Sequence, residues 1–223
     1  ISPYCVVCFF QDVIEDLRTQ GARVASLQSS EIGTHPIYEI EHEGRRLAFF
    51  HPGVGAPLGA ALLEEVIALG CNKFIACGGA GVLEKGLPAG HIMIPSSAVR
   101  DEGTSYHYLP PSREAFPSPN ARAAIERTLQ AARHHYTVGK TWTTDAFYRE
   151  TRARVDARKA EGCLTVEMEA AAFFAVAQFR RVEFAQILYA GDDLSGDWDH
   201  RDWNRHSIRN RLFQMAANAC LTL

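Results

Sequence analysis

The chain has 223 residues, 47% of them hydrophobic and 22% charged, a composition ordinary for a folded soluble domain and far from that of disordered segments. A domain of that length buries roughly 70–75% of the surface its unfolded chain exposes, so it needs no disulfide or metal staple. With 23 Lys and Arg against 26 Asp and Glu, the net charge of −3 carries no footprint for nucleic acid or an anionic membrane. No apolar run approaches the ~20 residues of a membrane helix, and the segment that follows Ile1 has no signal-peptide pattern. The expectation is a cytoplasmic α/β domain acting on a small molecule, with some N-terminal residues missing ahead of Ile1.

In chain order, short apolar or β-branched runs at 6–10, 37–40, 47–50, 74–77, 92–94, 138–143 and 184–189 predict strands, each flanked by turn residues. The apolar stretch 4–10, which contains the first run, holds Cys5 and Cys8. In a strand these two point to opposite faces, so this C-x-x-C reads as two core cysteines rather than a redox pair. The remaining cysteines, Cys71, Cys77, Cys163 and Cys220, sit among apolar neighbours. Neither His134-His135 nor His200 with His206 has ligand-spaced companions, so no metal or other cofactor is expected. Helical spacing joins Leu58, Leu62, Val66 and Leu69 after Gly53-Val54-Gly55-Ala56-Pro57, then Ile125, Leu129 and Ala132 after Ser118-Pro119, and finally Ile208, Leu212, Met215 and Ala219. The Pro-rich stretch 109–119 predicts a long loop rather than a boundary. Strands alternating with helices predict one domain over 1–223: a mixed, mainly parallel twisted sheet flanked by helices.

Three segments carry chemistry. The run 165–177 predicts a buried helix that opens on Glu167, Met168 and Glu169, where carboxylates are costly unless satisfied. They serve either as favourable charge at a helix N-terminus, with Glu169 frayed into solvent, or as acceptors gripping the donor groups of a ligand over a Met168 floor. Vicinal hydroxyls of a ribose are such donors, and burial of the helix favours this second reading. Gly191-Asp192-Asp193-Leu194 follows a strand, where open α/β sheets hold ligands, although Asp and Gly also make ordinary turns. Gly78-Gly79-Ala80-Gly81 follows another strand and permits close backbone approach, without the spacing of a dinucleotide or triphosphate loop.

This ordered set resembles the nucleoside phosphorylase/nucleosidase family. It comprises Gly53-Val54-Gly55-Ala56-Pro57, Gly78-Gly79-Ala80-Gly81, Ile92-Met93-Ile94-Pro95, Ala98-Val99-Arg100-Asp101-Glu102-Gly103-Thr104-Ser105, Thr144-Asp145-Ala146-Phe147-Tyr148 and Val166-Glu167-Met168-Glu169-Ala170-Ala171, followed by Asp192. The resemblance implies cleavage of a nucleoside N-glycosidic bond through an oxocarbenium-like transition state. It implies that Glu169 and Met168 hold the ribose, that Phe147 and Tyr148 stack near the base, and that Glu167 lies close to base or sugar. Asp192 falls at the acid that protonates a purine, helped by Arg205. Thr151 and Ala153 stand where uracil recognition would need Gln and Arg, which favours a purine. A homo-oligomer with active sites near interfaces is implied as well.

The departures concern the second substrate. Ala76, Gly79 and Glu15 occupy positions where phosphorylases hold phosphate with Arg and Ser or Thr, and Gly90-His91 replaces a Gly-Asp. At an effective dielectric of ~20, an anion facing a carboxylate at 4 Å is disfavoured by about 4 kcal/mol. Three readings follow. The lead is pentosyl transfer to phosphate held at Gly78 and Gly79, with Arg100, Lys73 or a partner subunit supplying charge. The second is a nucleosidase whose first-loop carboxylate, Asp12 or Glu15, orients water. The third is a nucleoside-binding protein without catalysis.

Overall fold

The computed structural model describes residues 1–201 and 206–223. Its elements in order are β1 (Tyr4–Cys8), α1 (Gln11–Thr19), β2 (Arg23–Ser30), β3 (Gly33–His42), β4 (Arg45–Phe50), α2 (Ala56–Ala68), β5 (Lys73–Val82), β6 (Ile92–Asp101), β7 (Glu114–Ala115), α3 (Pro119–Ala131), β8 (Tyr136–Thr144), α4 (Arg152–Ala160), β9 (Cys163–Glu167), α5 (Ala170–Arg180), β10 (Glu183–Asp193) and α6 (His206–Leu221). The strands form one mixed sheet in the order β10-β6-β8-β9-β5-β1-β4-β3-β2, and β10 also pairs with β5. Strands β5, β10, β6, β8 and β9 therefore close a ring. Within the sheet β4-β1-β5-β10 and β6-β8-β9 are parallel sets, joined antiparallel at β10–β6 and β5–β9. The α/β architecture read from the alternating pattern is present.

Parallel strands are buried on both faces, and two clusters do the covering. Val13 and Ile14 of α1, Ile125 and Leu129 of α3, and Leu212 and Phe213 of α6 pack on one face with Val6, Ile75 and Ile187. Leu62, Leu63 and Val66 of α2 and Phe173, Phe174 and Val176 of α5 pack on the other with Val7, Phe74 and Phe184. Cys5 belongs to the second cluster and Cys8 to the first, as the strand alternation requires. All six cysteines are free and buried. The fully buried rings of Phe173 and Phe184 pack tilted against each other with centroids 5.2 Å apart, and truncating either to Ala costs about 3–5 kcal/mol.

Several expected boundaries move. Residues 10–15, read as a first loop, are the N-cap and first part of helix α1, although Phe10 at the N-cap offers no capping side chain. The Gly-rich segment belongs to β5, which runs on to Val82 in register with β10. Residues 165–167 are the end of β9 and not helix: Thr165 and Val166 pair with Thr141 and Trp142 of β8, and Val166 pairs with Gly81. Two β-branched side chains next to an open strand edge outweigh the helical preference of the following alanines. The Pro-rich stretch is loop apart from the two-residue β7.

Candidate active site

The carboxyl ends of β1, β5, β9 and β10 converge on a cavity of about 330 Å³. Beyond Cys8 the β1 pairing stops, and the β9 pairing meets β5 only at Gly81. The edge of β5 around Gly78 and Gly79 is thereby left facing the cavity, which Gly78, Gly79, Ala80 and Gly81 all line. Side chains would be crowded here: a Cβ on Gly81 would lie 2.6 Å from Leu194 and one on Gly78 3.1 Å from Phe9, so these neighbours would have to shift.

Glu167, Met168 and Glu169 form the opposite wall. Glu169 takes the N-cap position of α5 and is 5% exposed, so it does not fray into solvent. Its Oε1 accepts the N–H of Gly55 at 2.5 Å. Gly55 has a φ of 95°, a left-handed conformation that favours glycine and points this N–H across the cleft. Glu167 ends β9 with both oxygens committed. Oε1 accepts the Thr143 hydroxyl at 2.6 Å, and Oε2 accepts the N–H groups of Glu169 and Ala170 at 2.8 and 2.6 Å. The helix-start reading thus describes Glu167, whose carboxylate caps α5, whereas Glu169 keeps capacity toward the cavity. Burial raises both carboxyls, Glu167 to about 7 and Glu169 to about 8, the latter aided by the charge of Glu167.

Asp192 lines the cavity from the end of β10, and its Oδ2 accepts the indole N–H of Trp198 at 2.7 Å. Arg205, the expected helper, lies outside the described residues. Two neighbours carried no sequence signal. Glu150 is pushed up to about 7 by burial and by the charge of Asp192. Arg209 lines the cavity from α6, with Nη1 3.2 Å from Asp12 Oδ2, Nε 3.5 Å from the Tyr189 hydroxyl and the guanidinium 5.6 Å from the Phe10 ring centre.

The remaining expected residues are placed elsewhere. Phe147 and Tyr148 occupy a short 3-10 turn outside the cavity lining, 50% and 89% exposed, and their rings lie against each other at 4.2 Å. Glu15 sits on the outer face of α1, bonded to Arg18 Nε at 2.8 Å. Asp12 is engaged by His206 Nδ1 at 3.1 Å as well as by Arg209. Burial alone would raise its carboxyl, but these partners outweigh it and hold Asp12 below the usual range. Neither residue lines the cavity. Arg100 is buried and spent on Ser105, Pro110 and Ser112, while Lys73 lies at the far, amino end of β5 beside Tyr4. Among the described residues, no group of three metal-ligating side chains comes together, and no helix is long and apolar enough to cross a membrane.

The chain matches the phosphorylase superfamily model over residues 3–221. It is 29% identical over 194 residues to a guanosine phosphorylase of Halorubrum lacusprofundi, covering 84% of this chain and 78% of the relative. A uridine phosphorylase of Treponema pallidum is 31% identical over 147 residues, covering 61% of this chain and 57% of that one. The fold superposes on purine nucleoside phosphorylase from Toxoplasma gondii with a TM-score of 0.84 at 18% identity, covering 100% of this chain and 91% of the other. It superposes on AMP nucleosidase from Bacteroides thetaiotaomicron with a TM-score of 0.81 at 20% identity, covering 100% and 88%.

Proposed function

Since the chain belongs to the phosphorylase superfamily, we propose that it cleaves the N-glycosidic bond of a purine nucleoside and transfers the pentosyl group to phosphate. One observation carries this reading: Glu169 with Met168, Asp192, and the bare edge of β5 at Gly78 and Gly79 surround a single cavity. Glu169 accepts the ribose hydroxyls, and Met168 packs under the sugar. As C1′–N breaks, negative charge develops on the base, and a proton shared between Asp192 and the base meets it there. The Trp198 N–H holds Oδ2, which leaves Oδ1 for the base. A phosphate oxygen then bonds to C1′ from the β5 side.

Hydrolysis is the second reading, favoured by Ala76 and by the apolar Phe9 and Phe10 that line the acceptor side. It loses its proposed base, because Asp12 is tied to His206 and Arg209 and Glu15 faces outward. Incubating the protein with a panel of nucleosides, with and without phosphate, and measuring free base separates the two. Purine release that requires phosphate supports transfer; equal release without it supports hydrolysis; saturable binding with no release leaves a binding protein.

A further inference from the structure

Strand β10 is apolar from Phe184 to Ala190 except at Gln186. Gln186 is 1% exposed, its Oε1 has no hydrogen-bond partner, and it borders the cavity. The two ends of an amide are interchangeable at the level of heavy atoms, so the finding is a buried amide with one polar atom unpaired. Native interiors rarely leave such a group unpaired without a purpose. Its register neighbour on β5 is Ala76. Phe184, two residues earlier on the same face, packs with Ala76, Ala170 and Phe173. Gln186 therefore points toward the side of the sheet where Glu169 opens α5. Among the described residues Oε1 finds no partner, and the cavity that Gln186 borders is where one can arrive.

We propose that Gln186 determines the acceptor: Nε2 donates to one oxygen of phosphate while Oε1 accepts the proton of a P–OH group. The proposal rests on pentosyl transfer to phosphate as the reaction. A neutral amide offers one end of each kind, so the acceptor must carry both an oxyanion oxygen and a hydroxyl. Hydrogen phosphate does, as does hydrogen arsenate. Sulfate at neutral pH has only bare oxygens, and one of them would oppose the carbonyl of Gln186. In the transfer, a phosphate oxygen bonds to C1′ while the C1′–N pair leaves on the base. The proton shared with Gln186 stays on phosphate.

The test compares the full wild-type chain with Gln186→Leu, of similar volume, and Gln186→Asn, which keeps a shorter amide. The probes are inorganic phosphate, arsenate and sulfate. In Gln186→Leu the phosphate KM is expected to rise about tenfold or more, the cost of one polar contact. The nucleoside KM stays within about twofold, as for substitutions away from a contact. Wild type is expected to accept arsenate and to be inhibited by sulfate only weakly, and Gln186→Leu to lose that discrimination. Because the variant removes an unpaired amide, its Tm should equal or exceed that of wild type, by about 2–4 °C. Gln186→Asn should fall between the two and carries the test if Gln186→Leu does not fold. An unchanged phosphate KM in a folded variant overturns the proposal, as does a rise confined to the nucleoside KM. A wild type indifferent to phosphate overturns the transfer reaction itself, and this role with it.

Discussion

The two walls of the cavity are built on opposite principles. On the sugar wall, Glu167 and Glu169 lie two residues apart, buried to similar extents, and differ in how they are used. Glu167 has three protein donors, whereas Glu169 has one described hydrogen bond to its carboxylate, from Gly55. The first carboxylate fixes the position of the second, a support that functional side chains need to hold their geometry. The acceptor wall has no comparable frame of charge. Phe9, Phe10, Gly78 and Gly79 line it, and Arg209, the cation among the described residues that line the cavity, is shared with Asp12 and Tyr189. On the proposed assignment, the sugar would meet a carboxylate held in a fixed frame, and the acceptor would meet few polar groups.

The largest effect is expected where bond breaking meets the base. Asp192→Asn should lower kcat by about 10²–10⁴, with nucleoside binding little changed, as for loss of a positioned acid. A kcat equal to wild type would remove Asp192 from the chemistry. Next, Glu169→Ala should raise the KM for ribosides about ten- to a hundredfold, by loss of hydrogen bonds to a charged group. Comparing ribosides with 2′-deoxyribosides checks this, since the variant should lose much of any preference for the 2′-hydroxyl.

A third effect follows from pH. Glu169 titrates near 8 in the folded chain against an ordinary 4.5, so between those values the folded state binds more protons than the unfolded one. Stability should therefore fall as pH rises from 5 to 8 and level off above, with Tm dropping about 2–4 °C for each kcal/mol lost. Glu169→Gln should flatten that slope. The grip on ribose runs the other way: the ionised carboxylate accepts more hydroxyls, so the nucleoside KM should fall as pH rises from 6 to 8.5. The smallest effects belong to residues the structure places away from the cavity. Glu15→Gln and Phe147→Ala should each change kcat/KM by no more than about twofold, the scale of surface substitutions.

Much of this contrast was written in the sequence in unequal clarity. The strands at 74–77 and 184–189, and the place of Asp192 and of Gly78–Gly81 on the cavity, were readable because apolar runs ended in polar or glycine residues where an α/β sheet holds ligands, while Glu169 and Met168 stood out as a carboxylate and its neighbour in an otherwise apolar run. The split between Glu167 and Glu169 was not readable. It depends on β9 continuing through Thr165 and Val166, which a run of alanines obscured, and on an N–H arriving from Gly55, 114 residues away. Helix α1 was missed because Phe10 gives no capping signal. Gln186 left a trace, a single amide inside an apolar strand, but only the register beside Ala76 and the empty hydrogen-bond positions give it meaning. Arg209 and Glu150 left none, since their partners Asp12 and Asp192 lie far along the chain or across a turn.

The central claim is that this cavity passes a pentosyl group from a purine to phosphate. Phosphorus NMR of the wild-type protein with a purine riboside and inorganic phosphate tests it most directly. The expected result is a pentose 1-phosphate signal that grows in equal amount with the free base. Free base accumulating while the phosphate signal stays unchanged would contradict it.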